Sequence, residues 1–101
     1  MSTQKETFAD IIKGDTPVLV DFFTTWCGPC KMMQPILENL RDKIGDKARI
    51  IKIDVDKNPQ VAMNYQIQGV PTLIVFHKGQ VKWRKSGVVQ ASQLEQVING
   101  I

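Results

Sequence analysis

Apolar residues recur along this chain at two spacings, and each spacing predicts a different kind of element. Residues 33–44 and 94–101 have apolar positions three and four apart, which is the spacing of an amphipathic helix. Three other segments are rich in β-branched, aromatic and aliphatic residues, which is typical of buried strands. These segments are residues 18–23, 49–55 and 72–76. The chain therefore alternates between predicted strands and predicted helices.

Helix-starting signals add two shorter helices and mark the start of the last one. A serine or threonine followed three residues later by glutamate forms a capping box, and asparagine followed by proline suits a helix N-terminus. The three signals are Thr3 with Glu6, Asn58 with Pro59, and Ser92 with Glu95. We expect the first helix to end near Gly14.

A hairpin is predicted near the C-terminal end of the chain. Residues 80–85 alternate between apolar and charged positions, and Lys78-Gly79 separates them from the preceding strand, which is typical of an antiparallel edge strand. The element order is then α-β-α-β-α-β-β-α, an α/β fold. We expect strands separated by helices to be parallel. The prediction is a central mixed sheet, parallel strands plus a C-terminal antiparallel hairpin, flanked by about four helices.

Composition narrows the class of protein. A length of 101 residues, 43% of them hydrophobic and 23% charged, suits one domain spanning residues 1–101. The longest segment without Asp, Glu, Lys or Arg contains prolines, asparagines and glutamines, which excludes a membrane span. The first residues lack the apolar core of a signal peptide, so we expect a cytoplasmic protein with no membrane partner. The net charge of +3 is too small to indicate nucleic-acid binding.

The two cysteines, Cys27 and Cys30, are the strongest chemical signal. They lie between the first predicted strand and the long helix, and ligands of such sheets bind beyond the carboxyl ends of the strands. Free N–H groups at a helix N-terminus stabilise an anion, so we expect a lowered pKa for the Cys27 thiol. In thiol–disulfide exchange the Cys27 thiolate would attack a substrate disulfide, and Cys30 would resolve the mixed disulfide.

Neighbouring residues fit the same chemistry. Gly28 lets a substrate backbone approach, and Pro29 stiffens the link between the sulfurs and so influences their redox poise. Asp21 interrupts the first apolar run, and its burial would raise the pKa of its carboxyl group and let it accept the Cys30 proton. A zinc site is not favoured, because only His77 could add a customary third ligand. We expect no metal and no bound cofactor.

These residues together resemble the thioredoxin family. Residues 26–30 read WCGPC, the whole signature of that family, Asp21 precedes them on a strand, Pro35 lies in the following helix, and residues 69–72 read GVPT. The resemblance covers the chain from about Phe8 to its last residue. It implies the thioredoxin fold and protein-disulfide reductase activity in cell redox homeostasis. The segment before Phe8 is too short for the family's N-terminal edge strand, which we expect to be short or absent.

The resemblance also implies roles for further residues. Asp21 would assist deprotonation of Cys30, with Lys52 nearby. The proline that matches Pro71 is cis in the family and packs against the active-site sulfurs. The residue before it, here Val70, offers backbone groups to an extended substrate segment. The other members of this apolar substrate-binding rim are Trp26, Gly69 and Gly87.

The resemblance implies partners, and it leaves two alternatives open. We expect a monomer that carries electrons from a thioredoxin reductase to disulfide-containing client proteins. An oxidase or isomerase would use the same fold, because fold alone does not set the direction of exchange. A thioredoxin-like interaction module with incidental cysteines would use it for binding alone. The uncharged Gly28-Pro29 pair favours the reductase.

Overall fold

The computed structural model describes residues 7–101. Its helices are α1 (Phe8–Ile12), α2 (Gly28–Ile44), α3 (Pro59–Asn64) and α4 (Ala91–Asn99), and its strands are β1 (Val18–Phe23), β2 (Arg49–Asp54), β3 (Thr72–His77) and β4 (Gln80–Ser86). A 3-10 turn, Gly45–Lys47, connects α2 to β2. The capping box predicted at Thr3 and Glu6 lies outside the described residues, and so does the segment of the expected N-terminal edge strand.

The strands form a mixed sheet in the order β2-β1-β3-β4. β1 and β2 are parallel, as predicted, with Asp21 opposite Lys52. β3 and β4 form the predicted antiparallel hairpin. β3 runs antiparallel to β1, with Asp21 opposite Leu73. The prediction that strands separated by helices are parallel is therefore wrong for β3.

The lengths of the connecting helices explain the directions of the strands. α2 has 17 residues and spans roughly 25 Å at 1.5 Å per residue, which returns the chain along the whole sheet before β2 begins. α3 has 6 residues and spans only roughly 9 Å. The 6 residues of β2 cover roughly 20 Å. Because α3 is shorter than the strand it follows, β3 begins at the end of the sheet where β2 ends.

Helices cover both faces of the sheet, because successive residues of the buried strands point to opposite sides. Leu19 of β1 lies in a core with Met33 of α2 and Leu94 of α4. Phe22 lies in a second core on the other face. It is packed there with residues of α1 and α3 and with Tyr65, the residue that follows α3. This layered arrangement is the predicted α/β architecture.

Two of the described helix starts differ in detail from the capping signals in the sequence. α3 begins at Pro59 with Asn58 as its N-cap, as predicted, although no side-chain hydrogen bond caps it. α4 has Gln90, not Ser92, as its N-cap, so the predicted capping box is wrong. Ala91 is buried, and starting the helix there adds an apolar residue to its packed face. Tertiary packing thus moves the helix start ahead of the local signal.

The turn between β3 and β4 has the geometry of the predicted hairpin. Lys78 and Gly79 connect β3 to β4 with φ angles of 53° and 82°. Positive φ at both central residues is the geometry of a two-residue turn that matches the twist of the strands. Among the helices described in residues 7–101, none combines the length and the hydropathy of a membrane-spanning segment.

Candidate active site

The two cysteines lie at the N-terminus of α2, just beyond the end of β1. Cys27 is the N-cap of α2, and its backbone N–H donates to the carbonyl oxygen of Thr24 at 3.4 Å. Cys30 occupies the first turn of the helix, and a disulfide joins the two residues with 5.3 Å between their Cα atoms. Cys27 at the helix N-terminus and Cys30 three residues later are therefore placed by the first turn of α2 so that their sulfurs can pair.

The Cys27 sulfur lies close to one backbone N–H group and one backbone carbonyl group. The backbone N–H of Cys30 donates to Cys27 Sγ at 3.1 Å, and Cys27 Sγ lies 3.7 Å from the carbonyl oxygen of Val70. Free N–H groups at the start of a helix stabilise an anion. Both cysteines are buried, with exposed fractions of 4% and 5%. Little of either cysteine is exposed, so a reacting sulfur must come into close contact with the protein surface.

Gly28 and Pro29 are the first two residues of α2. A proline at this position removes no helical hydrogen bond, because the first N–H groups of a helix have no partner within it. A Cβ atom placed on Gly28 would meet no heavy atom within 4 Å. The side of the disulfide at Gly28 is thus open to a second protein.

Asp21 is fully buried in the middle of the sheet. It lies on the same face of β1 as Leu19, so its carboxyl group points into the layer under α2, the helix that carries the cysteines. Among the described residues, neither carboxyl oxygen has a hydrogen-bond partner. Burial raises the pKa of Asp21 from 3.8 to about 6, and the charge of Lys52 opposes this rise.

Lys52 lies directly opposite Asp21 in the neighbouring strand β2. Its side chain is exposed, and its Nζ atom lies 4.8 Å from the centre of the Phe23 ring. This cation–π contact holds the ammonium group close to the end of β1. Lys52 therefore acts on Asp21 through charge and is not part of the buried layer.

The predicted substrate-binding residues form a rim around the disulfide. Trp26, Gly69 and Val70 line one groove of about 270 Å³. The Val70–Pro71 peptide bond is cis, as the resemblance implies. Pro71 is buried, and its carbonyl oxygen accepts a hydrogen bond from the Gly87 N–H at 2.7 Å. The structure thus brings together all five rim residues.

Two features of the site carry no signal in the sequence. Trp26 is 72% exposed, and its indole Nε1–H donates to the Asp56 carboxylate at 3.0 Å. Thr24 lies in the same groove with a buried hydroxyl that has no hydrogen-bond partner among the described residues. Asp56 is 30 positions from Trp26, and no local pattern in the sequence links the two residues.

Comparisons with known proteins agree with the geometry. A family profile described as thioredoxin matches residues 1–100. A thioredoxin-like protein of Synechocystis is 51% identical over 90 residues, which cover 88% of this chain and 86% of that protein. A thioredoxin of Acidithiobacillus ferridurans is 45% identical over 85 residues, which cover 84% of this chain and 79% of that protein.

Solved structures show the same relationship in three dimensions. The oxidised form of mitochondrial thioredoxin 3 from Saccharomyces cerevisiae superposes with a TM-score of 0.83 at 36% sequence identity. The match covers 93% of this chain and 87% of the yeast chain. The profile, the two relatives and the solved structure all indicate the same family. This chain belongs to the thioredoxin family, whose members are thiol-disulfide oxidoreductases.

Proposed function

We propose that Cys27 is the attacking sulfur and Cys30 the resolving sulfur of a protein-disulfide reductase. The observation that carries this assignment is the position of Cys27 as N-cap, where its sulfur accepts the Cys30 N–H at 3.1 Å. The exposed fractions of the two cysteines, 4% and 5%, do not distinguish them, so the assignment rests on the position of Cys27 at the helix N-terminus. The dithiol–disulfide chemistry itself follows from membership of the family.

The exchange is balanced in two steps. In the reduced protein, the Cys27 thiolate forms a bond to one sulfur of a client disulfide, and the other client sulfur leaves as a thiolate. The Cys30 thiolate then bonds to Cys27, and the second client sulfur leaves. The client gains two electrons, and the protein keeps the Cys27–Cys30 disulfide seen in the structure. A second reductant must supply two electrons to return it to the dithiol.

Asp21 is the proposed acceptor of the Cys30 proton. Its carboxyl group points into the layer under α2, and with a pKa of about 6 it is mostly ionised at neutral pH but still basic enough to take a proton. Asp21→Asn should slow release of the client from the mixed disulfide without slowing the first attack. Rapid-quench trapping of the mixed disulfide separates the two steps. Unchanged release at neutral pH would remove Asp21 from the mechanism.

The rim is the proposed binding surface for an extended client segment. Val70 carries a backbone carbonyl 3.7 Å from Cys27 Sγ, which suits strand-like pairing of a client backbone beside the disulfide. Trp26 and Gly69 supply the walls of the adjoining groove. Backbone pairing accepts many sequences, so this surface suits a range of disulfide-containing clients.

Disulfide-containing proteins and a thioredoxin reductase or similar system are the partners that family membership supports. The individual clients and the reductase that serves this chain stay predictions, as do the monomeric state and the absence of a bound cofactor. The cytoplasmic location also stays a prediction, and fractionation of the source cells with an antibody would test it.

Cysteine variants test the proposed function. In an insulin-reduction assay with a dithiol reductant, the wild type should be active and Cys27→Ser inactive. Cys30→Ser should retain clients as mixed disulfides through Cys27, and these should be visible on non-reducing gels. A variant that carries both Cys27→Ser and Cys30→Ser should form none. Activity that survives Cys27→Ser would contradict the assignment and favour an interaction module. A reduction potential measured against glutathione distinguishes a reductase from an oxidase or isomerase.

A further inference from the structure

One charged side chain outside the candidate active site contacts the segment that carries the rim residues. Arg84 lies in the middle of β4, opposite Ile74 of β3. Its Nη2 donates to the carbonyl oxygen of Gln66 at 2.8 Å, and its Nη1 donates to the carbonyl oxygen of Tyr65. Two guanidinium nitrogens therefore hold two successive carbonyl groups. Only the planar fork of arginine presents donors in this way.

The two carbonyl groups lie where the chain leaves α3 for the rim. Tyr65 is the C-cap of α3, and the last carbonyls of a helix lack partners within it. Gln66 has a φ of 54°, in the left-handed region, which turns the chain away from the helix axis. A cation at this end of a helix also faces the negative end of its dipole. Arg84 thus stabilises the turn from which residues 66–71, here called the rim loop, begin.

The far end of the rim loop is held by the same strand. The hydroxyl oxygens of Ser86, at the end of β4, and Thr72 are 3.0 Å apart, which is hydrogen-bond distance. Thr72 Oγ1 in turn donates to the Gly69 carbonyl oxygen at 2.6 Å. The next residue, Gly87, donates its N–H to Pro71. β4 therefore fastens the rim loop at its beginning through Arg84 and at its end through Ser86 and Gly87. Val70, whose carbonyl lies beside Cys27 Sγ, is between the two attachments.

We propose that Arg84 is a positioning residue that sets the backbone of Val70 for binding of protein clients. It acts through the rim loop and does not touch the disulfide. The inference rests on the proposed function of Val70 and extends it to a residue on another element. A client that pairs with the Val70 backbone depends on the ordered loop, because ordering it during binding would cost free energy. A small aromatic disulfide reacts at the sulfur alone and does not depend on it.

The test compares two substrates in three variants. Arg84→Gln removes the charge, Arg84→Lys keeps the charge but loses the fork, and Lys82→Gln removes one exposed charge from the same strand. With insulin, both Arg84 variants should raise KM about fivefold with little change in kcat, since charge-assisted hydrogen bonds are lost. With 5,5′-dithiobis(2-nitrobenzoate), their rates should stay within about twofold of wild type. Lys82→Gln should match wild type with both substrates.

Three kinetic results would overturn the inference. An insulin KM unchanged in Arg84→Gln would show that the rim loop does not need the clamp, by which we mean the contacts of Arg84 with the Tyr65 and Gln66 carbonyls. Equal losses on both substrates would indicate a general structural role. An Arg84→Lys protein with wild-type KM would show that charge alone is needed, since a single ammonium group does not reproduce the two-pronged contact.

Amide hydrogen exchange of the oxidised protein tests the clamp without any client. The Ile67 N–H donates to the Ala62 carbonyl at 2.9 Å, immediately after the clamped residues. It should exchange about tenfold faster in both Arg84 variants and at the wild-type rate in Lys82→Gln. Unchanged exchange would overturn the inference. If wild-type protein reduced neither substrate, the proposed function would fail, while the exchange rates would still decide whether Arg84 orders the loop.

Discussion

Replacing Asp21 by Asn should stabilise the folded protein, and the gain should grow with pH. Asp21 is fully buried, and neither carboxyl oxygen has a partner among the described residues. The carboxylate form is penalised in the folded state, which is why the pKa rises from 3.8 to about 6. Asparagine has nearly the same shape and carries no charge, so it removes the penalty without opening a cavity.

The size of the gain follows from the two pKa values. One pKa unit corresponds to about 1.36 kcal/mol, so a rise from 3.8 to about 6 amounts to about 3 kcal/mol. Below pH 3.8 the carboxyl is protonated in both states and contributes no difference. Between 3.8 and 6 the unfolded chain ionises first, and the folded wild type loses stability as the pH rises. Above the folded pKa the loss is complete and constant.

Urea unfolding of the oxidised proteins at a series of pH values measures this difference. The stability of Asp21→Asn relative to wild type should increase by about 2 to 3 kcal/mol between about pH 4 and about pH 8. Comparing two pH values cancels any constant effect of the amide group. Asp42→Asn, an exposed substitution on α2, is the matched control and should change stability by less than about 0.5 kcal/mol. A relative stability of Asp21→Asn that does not depend on pH would show that burial does not penalise the Asp21 carboxylate in the folded protein.

Two further predictions use the same unfolding measurements. Lys52→Met removes the positive charge that lowers the pKa of Asp21. In this variant, which keeps Asp21, the loss of stability with rising pH should therefore continue to a higher pH than in the wild type. The same pH range in both proteins would show that solvent screens the exposed ammonium group. Met33→Leu removes the sulfur that accepts the buried Val89 N–H at 3.5 Å and should lower the free energy of unfolding by about 1 to 2 kcal/mol. Met32→Leu, at a side chain 59% exposed, should be neutral, and equal effects of the two leucine variants would contradict the role of the sulfur.

Local patterns predicted most of the elements because their causes are local. Asn58 and Pro59 mark the start of α3 in the structure as in the sequence, since a proline at the first helical position needs no hydrogen bond. The sequence predicts Ser92 as the N-cap of α4, whereas Gln90 is the N-cap in the structure, because burying Ala91 outweighs a side-chain cap. Capping signals are small in energy, and packing moves an element boundary by a residue or two.

The candidate site was predicted in part for the same reason. Cys27 and Cys30 are three residues apart, so a helix turn alone brings them together. Asp21 was identified because a carboxylate inside an apolar run is conspicuous in the sequence. Asp56 and Arg84 were not identified, because their contacts with Trp26 and with the rim loop join elements distant in the chain. Exposed charges of this kind carry no local signal.

The alternation of strands and helices, and the pairing of two cysteines at a helix N-terminus, follow from the order of the residues alone. Both depend on interactions between residues a few positions apart, which the order of the residues specifies directly. Two other features, the antiparallel direction of β3 relative to β1 and the attachment of the rim loop at both ends by Arg84 and Gly87, appear only when the whole chain is folded. These features depend on how far α3 carries the chain and on which strands then meet. Distances between remote segments are set by packing of the whole core, not by any one stretch of residues.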